Sequence, residues 1–152
     1  RLSVLGTLDE VLRLTLLEAR EKRCAFLERV RLELGLSNVT VLCARAEDAA
    51  RTGLRETFDR ALARALAPLN VLAEYLMPFL KPGGLALCWK GPAVKDEGEA
   101  GGRAAAQLGG RLGRLMDLGL PGRSHFIQVI EKTGASPLKY PRRAGVPAKN
   151  PL

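Results

Sequence analysis

The sequence predicts an α/β fold, a mostly parallel sheet completed by one antiparallel strand at its C-terminal end. Three observations predict it. Short apolar runs alternate with segments of helical period along most of the chain. The last two apolar runs, 114–120 and 125–133, flank Pro121-Gly122, which is a hairpin signal. The chain has 152 residues, 47% apolar and 26% charged, which suits one globular domain with a real core.

The elements follow in order. LTLL at 14–17 is a short apolar run and predicts a strand that ends on Glu18. Residues 19–34 predict a helix with Phe26, Leu27, Val30 and Leu34 on one face and Gly35 as its stop. VTVLC at 39–43 is rich in β-branched residues and predicts a second strand. A short helix is expected over 47–57. FDRALAR at 58–64 is ambiguous in period, and its place after a helix favours a strand. Leu69, Leu72, Ala73, Leu76 and Leu80 mark a helix stopped by Pro82-Gly83-Gly84. LALCWK at 85–90 is a strong strand pattern. A solvated helix is expected near 95–107, followed by the hairpin. From Lys132 onward there are four prolines, five cations (Lys132, Lys139, Arg142, Arg143, Lys149) and no acid, so 133–152 reads as an extended, partly mobile basic tail.

The formal net charge is +8, a balance that favours an anionic partner, most often nucleic acid. A merely soluble basic surface is the plainer reading. Cys24, Cys43 and Cys88 are far apart and sit in apolar patterns. They read as small hydrophobes in a reduced, cytoplasmic protein, with no metal-ligand spacing. No apolar run approaches the roughly 20 residues of a membrane span. RLSVLGTLDEV is not a signal-peptide pattern, and an opening without Met is expected of a fragment.

Ligands of parallel α/β sheets bind at the carboxyl ends of the strands. Four segments fall there. Glu18 can accept hydrogen bonds from a ribose diol, or it can cap the next helix; taken alone, capping is the better reading. Arg45-Ala46-Glu47 leaves room for a flat ring beside Ala46 and a backbone N–H at Glu47, or is simply the first turn of a helix. Arg64 lies between Ala63 and Ala65, where a guanidinium can pair bidentately with a carboxylate or phosphate, or stand as a surface Arg. Lys90-Gly91 can meet a phosphate, with Gly91 admitting an RNA backbone, or Lys90 can snorkel before a turn. His125 reads as structural. There is no Ser/His/Asp or Cys/His set, so no residue is assigned a catalytic role.

TLLEAREKR, RAE, ARALAPLNVLAEYLMPFLKPGG, WKGP, HFIQVIEKT and above all YPRRAGVPAKNPL together resemble the bacterial small-subunit ribosomal RNA methyltransferase G family, also called glucose-inhibited division protein B. The resemblance runs in order from Arg13 to Leu152. It implies a class I, Rossmann-like S-adenosylmethionine-dependent methyltransferase domain over 1–152. It implies methylation of guanine N7 in 16S rRNA, on the RNA or a small-subunit assembly particle, by a cytoplasmic monomer without metal or membrane.

Carried over by residue, Glu18, Ala19 and Arg20 match the acidic loop near the cofactor ribose. Ala46 and Glu47 match the adenine side, and Arg64 matches the arginine of the cofactor pocket. Lys90, Arg142 and Arg143 look like the cations that meet RNA. The family's first strand and glycine-rich loop are missing or altered here, since RLSVLGTLDEVLR holds only Gly6, so the chain is expected to be N-terminally incomplete. The alternative function is a non-catalytic RNA-binding remnant of the same fold. A nucleotide enzyme of another Rossmann type lacks its G-x-G-x-x-G.

Overall fold

A computed structural model describes residues 12–64, 67–119 and 124–152. The expectations for RLSVLGTLDEV, for Ala65 and for the Pro121-Gly122 turn lie outside the described residues. The chain forms two compact units, one ending at Ala46 and one running from Glu47 to Leu152.

The first unit is a β-α-β element. Strand β1 (Leu14–Glu18) pairs in parallel with β2 (Val39–Cys43), from Leu14 opposite Val39 to Glu18 opposite Cys43. Helix α1 (Glu21–Glu33) makes the crossover and packs on both strands. Gly35 stops it with φ +63°, the left-handed conformation that a helix end of this kind requires. The predicted face needs correction. Cys24 is the buried residue of α1, with Leu27 and Val30 half-buried, whereas Phe26 and Leu34 are 64% and 66% exposed. Their spacing from Leu27 and Val30 is helical, but it rotates away from the strands. Cys24 and Cys43, read as separate thiols, are joined by a disulfide between α1 and the end of β2.

The second unit starts with α2 (Ala46–Ala49), which shares its first residue with the first unit. The helix expected over 47–57 is only this one turn, because Thr52 and Thr57 hydroxyls bond Ala49 and Leu54 carbonyls and turn the chain. Among the described residues four strands follow: β3 (Phe58–Arg64), β4 (Leu80–Lys90), β5 (Gly110–Asp117) and β6 (Phe126–Lys132). Their order is β3-β4-β6-β5. β3 and β4 are parallel, and β6 is antiparallel to both β4 and β5. Three strands therefore share one direction and only the C-terminal strand is reversed, as the sequence predicts. The hairpin of β5 and β6 also forms as predicted.

Helix α3 (Leu69–Leu76) passes through a single 3₁₀ turn, Met77–Phe79, into β4. Leu80 and Pro82-Gly83-Gly84 were expected to end a helix, and they lie in the strand instead. The pairing jumps from Phe58–Leu80 to Arg60–Leu85, so the Pro-Gly-Gly segment is a bulge. A side chain at Gly84 would stand 2.9 Å from the Lys81 carbonyl oxygen, which is why glycine sits there. Helix α4 (Gly98–Gln107) is not solvated all round. Ala104 and Ala105 are wholly buried against a core of Leu69, Leu72, Ala86, Cys88 and Ile130. Burial raises the Cys88 thiol to about 12, so it stays protonated there.

The segment from Ser136 to Leu152 is not a mobile tail. Tyr140, Pro141 and Pro147 are buried, and a short helix, α5 (Val146–Lys149), follows Gly145. Lys132, counted with the tail, is a fully buried β6 residue. Its ammonium bonds the Met77 carbonyl at 2.9 Å, the Ser136 hydroxyl, and Glu56 at 3.1 Å.

Candidate functional site

Parallel strands aim their carboxyl ends at one side of a sheet, and each unit presents such an end. In the first unit β1 ends on Glu18 and β2 on Cys43, and the Ala44 N–H bonds the Glu18 carbonyl at 3.0 Å, which fixes the loop after β2. The Glu18 carboxylate takes the Arg20 N–H on Oε1 at 2.9 Å and meets Arg23 Nη1 on Oε2 at 3.4 Å. The Arg20 N–H lowers the Glu18 carboxyl below its ordinary value, with Arg23 and Ala19 adding to the effect against partial desolvation. The carboxylate bonds the N–H of Arg20, the residue just before α1, which has no side-chain cap, and keeps two of its roughly four acceptor positions for another donor pair. Ala19 and Arg20 beside it are exposed, and Ala46 is half-buried at the head of α2.

The second unit contributes Glu47 and Arg64 among the residues expected at a cofactor. The Glu47 side chain is buried at 4% exposure and accepts the Gly145 N–H at 2.8 Å. Its carboxylate therefore ties α2 to the C-terminal segment, and what it can offer a ligand is its backbone N–H in the first turn. Arg64 is exposed at the end of β3, with its guanidinium over the Trp89 ring, 5.7 Å from the centroid.

Two of the three residues expected to meet RNA are committed inside the protein. Lys90 has only 10% side-chain exposure. Its ammonium bonds the Ala67 carbonyl and Glu97 Oε2, each at 2.8 Å. The same Glu97 oxygen accepts the Leu69 N–H at 2.6 Å, at the start of α3. Lys90 is a buried ion pair, which corrects the phosphate role given to it. Arg142 likewise faces inward, on Glu74, and that pair raises its pKa further. Only Arg143 of the three stands exposed.

Sequence reasoning missed Glu74 and Glu97 altogether. Both lie in helical or turn segments where an acid reads as solvated surface. The only available signal was Glu74 itself, an acid between the apolar Ala73 and Leu76 on an otherwise hydrophobic helix. Among the described residues no group of acidic, His and Cys side chains is arranged to hold a metal ion. Nor is any helix long and apolar enough to cross a membrane.

Comparison with known proteins bears on this arrangement. A family model described as rRNA small subunit methyltransferase G matches residues 4–124. A protein of that name from Alkaliphilus metalliredigens is 44% identical over 144 residues, covering 93% of this chain and 60% of its own length. One from Leuconostoc citreum is 46% identical over 143 residues, with the same coverage of 93% and 60%. The chain spans about 60% of the length of these curated relatives. Among solved structures, an rRNA methylase from Streptococcus thermophilus superimposes with a TM-score of 0.60 at 18% identity, over 84% of this chain and 78% of that one. TYW2 from M. jannaschii, solved in complex with AdoMet, gives 0.60 at 17% identity, over 79% and 58%. These likenesses show the Rossmann-like fold of class I methyltransferases, with the reversed strand lying inside the sheet.

Proposed function

The chain belongs to the rRNA small subunit methyltransferase G family, and from that premise we propose that it methylates N7 of a guanine in 16S ribosomal RNA with S-adenosylmethionine as donor. The observation that carries the proposal is Glu18, an ionised, part-exposed carboxylate at the carboxyl end of a parallel strand with acceptor positions left over. A vicinal ribose diol has the matching donor pair. Small side chains at the exposed Ala19 and the half-buried Ala46, with the backbone N–H of Glu47, fit the flat, neutral remainder of a nucleoside. The residues present therefore suit an S-adenosyl group.

When bound, S-adenosylmethionine supplies an electrophilic methyl group on a sulfonium with a good leaving group. The chain's own work is then positional. Guanine N7 carries a lone pair and no proton, so no general base is required. Glu18 holds the ribose and fixes the reach of the donor. Orientation and electrostatics supply the rate. Arg143, the exposed one of the three predicted RNA cations, meets a phosphate, a contact that positions without reading sequence. The reaction takes place in the cytoplasm on the RNA or on a small-subunit assembly particle, and the working unit is the monomer.

Calorimetric titration of the chain with S-adenosylmethionine tests the proposal. Saturable heat that Glu18→Ala abolishes, together with label transferred from methyl-labelled donor into 16S rRNA, is the expected result. No heat with the unaltered chain would overturn the cofactor assignment.

A further inference from the structure

The elements that meet beside Glu18 are tied by a disulfide. Glu18 and Cys43 are register partners at the ends of β1 and β2. Cys43 is bonded to Cys24, the fourth residue of α1, with 5.7 Å between the two Cα atoms. The bond spans 19 residues of sequence and fastens the first turn of α1 to the strand mouth. Arg20, whose N–H the Glu18 carboxylate accepts, stands at the head of that turn, and its carbonyl accepts the Cys24 N–H at 3.0 Å. The Ala44 N–H, next to Cys43, donates to the Glu18 carbonyl at 3.0 Å. The proposed ribose acceptor is therefore held by the same two segments that the disulfide joins.

The two sulfurs differ in access. Cys43 is exposed, whereas Cys24 is only 8% exposed. A thiolate from solution reaches Cys43, which makes Cys24 the leaving group. The first turn of a helix favours the negative charge that then develops on Cys24. Arg20, Lys22 and Arg45, close to the pair in sequence, are exposed cations that favour the approach of an anionic thiol. The reduced state is provided for as well. Cys24 Sγ stands 3.2 Å from the Glu18 carbonyl oxygen, so an S–H there has its acceptor in place. A disulfide in the cytoplasm, where the proposed reaction takes place, is characteristically transient.

We propose that Cys24 and Cys43 are a redox-active pair that exchanges with a small anionic thiol at Cys43, and that its state sets how firmly Glu18 is held for the cofactor. A first thiolate attacks Cys43 Sγ and forms a mixed disulfide there. The protein's own S–S bond breaks, and its electron pair leaves on Cys24, which takes up a proton. A second thiolate attacks the small sulfur of the mixed disulfide and releases Cys43 as a thiol. The protein gains two thiols, and two small thiols become one disulfide. Reduction trades a covalent tie for a weak S–H···O contact, so Arg20 and Glu18 lose part of their fixed geometry. The inference rests on the ribose-acceptor reading of Glu18 and deepens it by adding a control.

The full chain is equilibrated in a series of reduced and oxidised glutathione mixtures, its thiols are capped with a maleimide, and its intact mass is read. Two caps should appear together as the mixture becomes reducing, beyond whatever the buried Cys88 takes. Cys24→Ala removes the resolving sulfur and should hold one glutathione on Cys43, whereas Cys43→Ala should hold about ten-fold less on the buried Cys24. Amide exchange of Cys24 and Ala44 should quicken about ten-fold or more on reduction. Calorimetry with S-adenosylmethionine should give a Kd about ten-fold higher for the reduced chain than for the oxidised one. By linkage, saturating cofactor should shift the redox midpoint toward the oxidised form by that same factor.

A pair that stays oxidised in the most reducing mixture, glutathione trapped on Cys24 rather than Cys43, or amide exchange that is the same in both states would each overturn the redox pair. The oxidised and reduced forms of the unaltered chain carry the comparison, so a fold defect in a variant does not decide it. Cofactor binding with the same Kd in both states leaves the methyltransferase standing and removes the control. No cofactor heat in either state, with glutathione trapped on Cys43 and exchange quickened by reduction, overturns the cofactor reading and keeps the redox pair.

Discussion

The Glu74 carboxylate, fully buried in α3, accepts four hydrogen bonds from a single residue, Arg142. The Arg142 backbone N–H and Nε reach Oε1 at 2.7 and 2.9 Å, and Nε and Nη2 reach Oε2 at 3.1 and 2.6 Å. A buried ion of this kind is tolerable only while its partner is present. Arg142→Ala should therefore cost about 3–5 kcal/mol, measured by urea unfolding. The double variant Arg142→Met with Glu74→Met should recover most of that loss, because no charge is left unpaired. A single variant as stable as the original would show that the pair carries no weight.

Lys90 makes a related case with an RNA readout. Lys90→Met strands Glu97 and removes the ligand of the Ala67 carbonyl, at a cost on the order of 3 kcal/mol in thermal or urea unfolding. The dependence of RNA affinity on salt should not change. A true phosphate contact would lower the slope of log K against log salt by about 0.7 for a single strand. A fall of that size on replacing Lys90 would restore its RNA role.

As the proposed ribose acceptor, Glu18 should set the acid limb of cofactor binding. Its carboxyl titrates below the ordinary value of 4.5 because the ionised form accepts the Arg20 N–H. Its contribution to the fold is therefore present at pH values above 4.5 and is lost as pH falls through the lowered value. Affinity for S-adenosylmethionine should follow the same course, holding through the ordinary carboxylate range and failing only below it. Calorimetry across an acid pH series reads this directly. A midpoint above 4.5 would contradict the assignment.

Gly101 holds α4 against α3. A methyl group there would stand 2.8 Å from the Leu69 Cβ, inside a wholly buried contact. Gly101→Ala gains helix propensity, yet it should destabilise the protein by about 1–3 kcal/mol through overpacking. Gly102→Ala, whose methyl would meet Leu112 only at 3.7 Å, should be stabilising or neutral. The two variants compared by thermal unfolding isolate packing from propensity.

The strands were legible because their signal is local. VTVLC and LALCWK carry their own period, and Pro121-Gly122 announces the hairpin. What failed was long-range. The Ser136–Leu152 segment is held by Arg55 on the Tyr140, Ser136 and Pro137 carbonyls, by Arg51 on the Pro141 carbonyl, by Glu56 on the Ser136 N–H and by Glu47 on the Gly145 N–H. These partners lie 80 to 98 residues away in sequence. No periodicity records them, and a run of prolines and cations read alone looks solvated. The site was legible to the same degree. Glu18 could be read from its strand end, but the inward turn of Lys90 and Arg142 depended on distant acids, and the meeting of Arg64 with Trp89 depended on a strand register that the Pro-Gly-Gly bulge shifts.

The interior place of β6 has a consequence for how the chain is made. Of the described strands it is the last in sequence, yet it fills the gap between β4 and β5. Until residue 132 has emerged, those two strands each have an open edge and no bridge between them. The parallel pair β3–β4 can assemble during synthesis, whereas the sheet as a whole closes only after nearly all of the second unit has been translated. A nascent or prematurely terminated chain therefore exposes unpaired edges to its neighbours, and its solubility depends on how quickly the final hairpin zips into place.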